Sequence, residues 1–211
     1  MGKKMIWFII IGVVILGAVL LGPIISRVEQ ANYVVVKTAG AIETRDYAPK
    51  IIAQTQVSGA RQEAISKGFR AIADFIFGNN TASAKVSMTA PVMQQQQSEK
   101  IAMTAPVMQQ AKDGDKWTVA FVMPDKYTME TLPKPNNDAV TLIQIPEQRF
   151  IVIRFSGRAT DKNIQNHTDK LNAYIKNNNI EAISAPQYAF YNPPLTLPFM
   201  RRNEIMREIA K

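Results

Sequence analysis

Beyond residue 33, apolar and polar positions alternate along much of the chain. Tyr33–Lys37, Ile42–Tyr47 and Lys50–Val57 predict three strands, the last two separated by a turn at Pro49 and the third closed by Ser58-Gly59. The period then changes. Ile65, Phe69, Ile72 and Ile76 recur at helical spacing, with Arg61, Glu63, Lys67, Arg70 and Asp74 filling much of the rest. This predicts a helix over Ala60–Phe77, stopped at Gly78-Asn79-Asn80. Alternation returns in a phrase written twice. Lys85–Gln95 and Lys100–Gln110 agree at nine of eleven positions, and both contain MTAPV. Two copies are too few for a stacked array. They predict two strands joined by the polar stretch Gln94–Glu99 as an antiparallel hairpin, with Pro91 and Pro106 at an edge, a bulge or a strand end because proline has no N–H to donate. Met88 and Met103 then share one apolar surface, read as core or as the wall of a ligand cleft.

Strands are predicted at Trp117–Met123, Ala139–Ile145 and Arg149–Phe155, and a second helix over Asp161–Lys176. Ile164, Thr168, Leu171 and Ile175 form its core face, and Thr160 or Asp161 its N-cap. Pro186–Tyr191 and Glu204–Ile209 are the last strands. The order strand–helix–strands occurs twice. Val57-Ser58-Gly59-Ala60 before the first helix resembles Phe155-Ser156-Gly157-Arg158-Ala159 before the second. The pattern predicts a duplicated βαββ-like unit in an α+β fold with a mostly antiparallel sheet, and a cleft between the halves as the favoured ligand site.

The N-terminus changes the picture. Met5–Ile25 carries no charge over 21 residues, enough to span a hydrocarbon core of roughly 30 Å. Lys3 and Lys4 precede it, which favours a cytoplasmic N-terminus. No A-x-A cleavage site follows, so a retained signal anchor is the expectation and a cleaved signal the alternative. The expected organisation is an anchor at 1–25, a linker at 26–32 and a domain at 33–211. The protein is then single-pass, with its C-terminal domain outside the cytoplasm (periplasmic in a Gram-negative source). The 211 residues include no cysteine, which excludes disulfides, Cys-based zinc sites and covalent haem attachment through CxxCH. The net charge of +8 suits anionic ligands or membrane surfaces. Without a basic stripe interleaved with aromatics, it does not point to nucleic acid.

Several phrases, in this order, resemble the SOUL haem-binding protein family in its membrane-anchored bacterial form. They are MTAPV (Met88–Val92 and Met103–Val107), FVMP (Phe121–Pro124), ETLPKP (Glu130–Pro135), RFSG (Arg154–Gly157), YNPP (Tyr191–Pro194) and RRNEI (Arg201–Ile205). The resemblance runs from about Tyr33 to Ile209. It implies a distorted antiparallel β-barrel with two main helices, similar to effector-binding domains. It also implies non-covalent binding of haem or another tetrapyrrole in a shallow apolar cleft. Some members are thought to ligate iron through a histidine near the first helix, and here that helix has none. The sole histidine, His167, falls on the flank of the second helix beside Tyr174 and reads as a rim residue rather than an axial ligand. The resemblance points instead to Lys67 and Arg70 for propionates, with Phe69 between them as apolar contact. A solvated helix face explains Lys67 and Arg70 as well. Arg201 and Arg202 read as structural, given the following Asn203-Glu204.

Three functions compete. The first is a membrane-tethered tetrapyrrole-binding protein with Lys67, Phe69, Arg70, Met88 and Met103 as haem contacts and no metal ligand. The second is a module for another amphipathic ligand or a lipid, or a non-haem effector-binding-like domain. The third, an enzyme, has no thiol, no arguable nucleophile–base constellation and no metal-ligand spacing behind it.

Overall fold

A computed structural model describes residues 28–82, 98–112 and 115–211, together with Trp7. The strands are β1 (Tyr33–Ala39), β2 (Ile42–Tyr47), β3 (Lys50–Ser58), β4 (Asn80–Thr81), β5 (Val107–Ala111), β6 (Lys116–Val122), β7 (Lys134–Pro135), β8 (Thr141–Ile145), β9 (Gln148–Phe155), β10 (Gln187–Phe190) and β11 (Asn203–Glu208). Helix α1 spans Arg61–Ile76 and helix α2 spans Asp161–Asn177. Nine strands form one antiparallel sheet in the order β1-β2-β9-β11-β10-β5-β6-β3-β8, and β4 pairs with β7 apart from it.

That order has a pseudo-twofold axis between β10 and β5. On one side lie β9, β11 and β10 with α2. On the other lie β3, β6 and β5 with α1. β2 leads into β3 but pairs with β9, and β8 leads into β9 but pairs with β3. Each half therefore lends its leading strand to the other, which supports the predicted duplication. Gly59 and Gly157 stand at matching points before the helices, with φ of 120° and 98°, a region that favours glycine. Among the described residues no ladder joins β1 to β8, so the sheet is a curled half-barrel rather than a closed barrel. The β1 edge is interrupted by a register shift between Val35 and Lys37, a feature that hinders edge-to-edge pairing.

Both helices cover one face of the sheet. Residues of α2 pack with Ile151, Ile153, Phe155, Ile205 and Ile209, and its buried stripe is the predicted Ile164, Thr168, Leu171 and Ile175. Thr160 caps its N-terminus by accepting from the Asn163 N–H at 3.3 Å. The stripe of α1 matches the expected one at Ile72 and Ile76, both buried, and departs from it in the first half, where Ala64 and Gly68 are buried while Ile65 is partly buried and Phe69 is 36% exposed. The reason is close approach: a Cβ on Gly68 would lie 2.5 Å from Val119 of β6, so the small residues face the sheet and the larger ones flank it. The helices meet at their N-termini, where Arg61 Nε binds Asp161 at 2.7 Å and Arg61 Nη2 donates to the Ala159 carbonyl.

The strand expected from the second MTAPV copy starts later than its alternation implies, and the hairpin with the first copy lies outside the described residues. The first MTAPV copy lies outside the described residues, Met88 included. In the second copy a strand begins only at Val107. Ile101–Thr104 is irregular, and Ala105 makes a lone bridge to Gln30 ahead of a cis Ala105–Pro106 bond. Pro106 therefore marks a strand end, one of the positions open to it. The expected span Met5–Ile25 also lies outside the described residues, apart from Trp7. Among the described residues no helix is long and apolar enough to cross a membrane.

Candidate ligand-binding cleft

Strand period 2 sends alternate side chains to the face away from the helices. On β3 these are Lys50, Ile52 and Gln54; on β6, Thr118, Ala120 and Val122; on β9, Gln148 and Phe150; on β11, Glu204, Met206 and Glu208. Together with Tyr47, Met108, Ile145 and Tyr191 most of them line a cavity of about 300 Å³ that crosses the pseudo-twofold axis. Its floor is apolar: Ile52, Ala120, Val122, Phe150, Tyr191 and Met206 belong to one buried cluster, and Met108 packs against it. Amides line part of it, with Gln187 opposite Gln110 and Gln110 opposite Thr118 across neighbouring strands.

Two charged arrangements occupy this face. The first is fully paired. Arg45 grips Glu204 through two bonds, Nη1–Oε2 at 2.9 Å and Nη2–Oε1 at 3.0 Å. Arg202 Nε reaches Oε1 at 2.9 Å, and the Tyr191 hydroxyl donates to Oε2 at 2.8 Å. Arg45 also binds Glu43, and Arg202 extends to Gln30 and the Tyr33 hydroxyl. Burial alone would raise the Glu204 pKa, but the bonds from Arg45, the two guanidinium charges and the Tyr191 bond outweigh it, so the carboxyl stays below its ordinary range. Burial, reinforced by the Glu204 charge, raises Tyr191 and pushes Tyr47 up to about 12.

The second arrangement is Lys50. It follows Tyr47-Ala48-Pro49, the link by which the chain passes from one end of the sheet to the other. Its ammonium sits over the Tyr47 ring at 4.8 Å and the Phe150 ring at 6.0 Å. Among the described residues no carboxylate lies within ion-pairing distance of it and no hydrogen bond holds it. Desolvation lowers its pKa to about 8, opposed only by the charge of Glu208. Glu208 itself accepts from Gln148 Nε2 at 3.0 Å.

Of the residues expected to touch the ligand, Met88 lies outside the described residues and the others lie away from this cavity. Lys67 and Arg70 lie exposed on α1, with Lys67 paired to Glu63 at 2.7 Å. The Phe69 ring meets Phe121 at 5.5 Å between centroids, and Met103 is a partly buried neighbour of the same helix-side cluster. Phe69 and Met103 thus border one core on the opposite side of the sheet from the cavity. His167 stacks on Phe155 at 4.2 Å, with Nδ1 bonded to the Asn163 carbonyl at 2.8 Å. That carbonyl can only accept, so Nδ1 carries the proton. Among the described residues no group of three or more His, Asp or Glu side chains could hold a metal ion. Arg202 has the structural role its neighbours suggested. Lys50, Tyr47, Phe150, Met108 and Met206, which line the cavity, are not among the residues the sequence singled out as ligand contacts. The alternation Lys50, Ile52, Gln54 was visible, but nothing in it says which face of β3 meets a cavity.

Comparison with known proteins agrees with this architecture. The sequence model of the SOUL heme-binding protein family matches residues 28–99 and 94–208. Each MTAPV copy falls in a different matched segment. No curated protein matches the chain in sequence. Among solved structures, the EcmrR C-terminal domain superposes with a TM-score of 0.56 at 11% identity, covering 81% of this chain and 97% of that one. A protein from Listeria innocua described as a hydrolase gives 0.54 at 12% identity, covering 83% and 94%. At such identities the likeness is one of fold.

Proposed function

The chain belongs to the SOUL heme-binding protein family, and on that premise we propose that it binds haem or a related tetrapyrrole non-covalently on the concave face of its sheet. The observation that carries the seat is Lys50: a cation with no carboxylate within ion-pairing distance among the described residues, beside an apolar floor. A tetrapyrrole combines a broad apolar ring with carboxylates. Ile52, Val122, Phe150, Met108 and Met206 suit the ring, and Lys50 suits one carboxylate by a charge-assisted bond. At about 300 Å³ the cavity is at the small end of ligand pockets, so it suits one edge of the macrocycle. The lining holds no histidine, so affinity rests on apolar contact and carboxylate pairing. Bound haem would supply an iron centre; the residues of this chain would hold and orient it.

A second seat is the outer face of α1, with Phe69 and Met103 as apolar contacts and Lys67 and Arg70 for carboxylates. Phe69, 36% exposed over a buried core, favours it. Lys67 is already engaged by Glu63, which weakens its claim. We read the protein as a binding module rather than a catalyst. We also propose that Met5–Ile25 spans a membrane with the domain outside the cytoplasm; its 21 charge-free residues support this.

Visible-region titration of the full chain with hemin and with protoporphyrin tests the seat. Lys50→Met is expected to weaken both about tenfold, and Lys67→Ala with Arg70→Ala to change neither. The reverse result moves the ligand to α1. Absence of binding by either pigment refutes the tetrapyrrole reading.

A further inference from the structure

Two of the most exposed apolar side chains occupy one short loop. Leu195 is 91% exposed and Phe199 is 70% exposed, both within the segment between β10 and β11. The loop is held firmly. Arg201 Nε donates to the Thr196 carbonyl at 2.8 Å and Nη2 to the Pro194 carbonyl. The Arg202 N–H donates to Asn192 Oδ1 at 2.6 Å, and the Gly157 N–H to the Pro198 carbonyl at 2.8 Å. Thr196 is buried between the two exposed positions. Prolines at 193, 194 and 198 restrict the backbone further. A tethered loop thus presents leucine and phenylalanine outward.

The base of this loop touches the start of the domain. Arg202 Nη1 binds Gln30 at 3.0 Å and Nη2 reaches the Tyr33 hydroxyl at 3.3 Å. Gln30 follows Ile25, the end of the charge-free run, by five residues. Five residues reach at most about 18 Å. A bilayer holding Met5–Ile25 would therefore lie beside the loop, not at the far end of the domain. Aromatic and aliphatic side chains carried on a stiff polar frame suit insertion at the headgroup–acyl boundary.

We propose that Leu195 and Phe199 dock the domain onto the lipid bilayer that holds its N-terminal segment, fixing the domain's orientation at the surface. This rests on the membrane-span reading given above. It implies that the opposite end of β11 points away from lipid. There Ile183, 57% exposed, donates its N–H to the Glu208 carbonyl. Asn203 and Glu208 are five steps apart, roughly 17 Å along a strand.

The absence of cysteine makes the test direct. Leu195→Cys, Phe199→Cys, Ile183→Cys and Trp7→Cys in the full chain each accept one nitroxide label. The chain is reconstituted in phosphatidylcholine–phosphatidylglycerol vesicles, and accessibility to oxygen and to a water-soluble nickel complex is read by electron paramagnetic resonance. The expected result is oxygen-rich, nickel-poor labels at 7, 195 and 199, and a water-exposed label at 183. Lipid exposure at 7 with water exposure at 195 and 199 overturns the docking and leaves the span standing. Water exposure at 7 overturns the span. Spin–spin broadening at 195 and 199 without oxygen access marks a contact between copies of the chain and also overturns the docking.

Discussion

Two cationic sites share the concave face of the sheet, and the difference that bears on ligands is whether an anion meets them. Arg45 and Glu204 are almost wholly removed from water, with side chains 2% and 0% exposed, and Arg202 and Tyr191 complete the carboxylate's bonds. That cluster ties β2, β10 and β11 together and leaves nothing for a ligand. Lys50 lies against the same apolar face with two aromatic rings for company and, among the described residues, no carboxylate in contact. Desolvation without compensation is costly, and compensation without vacancy is inert towards ligands. The paired site holds the scaffold; the unpaired one is where an anionic group has something to gain.

Breaking the paired site should have the largest effect. Glu204→Ala leaves the buried guanidinium of Arg45 and the partly buried one of Arg202 facing an absent carboxylate, and a cost of about 3–5 kcal/mol is expected. The urea midpoint measures it. The sign with pH is also fixed. The folded-state pKa of Glu204 is depressed, so its contribution is present above the ordinary carboxylate pKa and lost as pH falls through the folded value. Glu204→Gln should shrink the loss of stability in acid. A variant as acid-sensitive as the parent would show that the cluster does not stabilise through charge.

Relieving the unpaired site should have a smaller effect of opposite sign. Lys50→Met removes a poorly solvated cation while keeping its chain length, and should stabilise by about 1–3.5 kcal/mol near neutral pH, the upper end being the whole shift taken at ~1.4 kcal/mol per pKa unit. Folded Lys50 titrates near 8 against 10.5 unfolded. The protonated lysine thus penalises the folded state fully below pH 8, and the penalty fades as pH rises towards 10.5. The stability gap between variant and parent should close over that window. A gap independent of pH would mean that packing, not charge, separates them.

Much of this arrangement was legible from the chain. The alternation marked the long strands, and the stripe Ile164, Thr168, Leu171 and Ile175 of α2 is the buried one because each of those residues meets the sheet directly. In α1 the periodicity found Ile72 and Ile76, but it weights large apolar residues and so missed Gly68, which lets the backbone approach Val119 and leaves Phe69 at the flank. The second MTAPV copy alternates like a strand, but Pro106 cannot donate to a ladder, and pairing starts after it. The cleft was least legible. Arg45 and Glu204 are 159 residues apart. Tyr47 and Lys50 lie on adjoining strands that pair with opposite ends of the sheet. Local patterns carry periodicity, not the long-range pairing that brings such residues onto one face.

The smallest effect is expected where a lysine is paired but not buried. Lys67 and Glu63 meet at 2.7 Å on α1 at helical i,i+4 spacing, with side chains 46% and 58% exposed. Water already solvates both partners, so contact adds little to what each loses by being held still. Lys67→Ala should leave the urea midpoint within experimental error, and added salt should leave it there. It completes a series: Glu204 buried and paired, Lys50 half-buried and without an ion pair among the described residues, Lys67 exposed and paired. If burial decides the energetic weight of a charge here, and pairing decides its sign, Lys67→Ala must fall closest to zero. A loss from Lys67→Ala comparable to that from Glu204→Ala would break the ordering, because contact alone would then be stabilising without desolvation, and the cost assigned to Lys50 would need another cause.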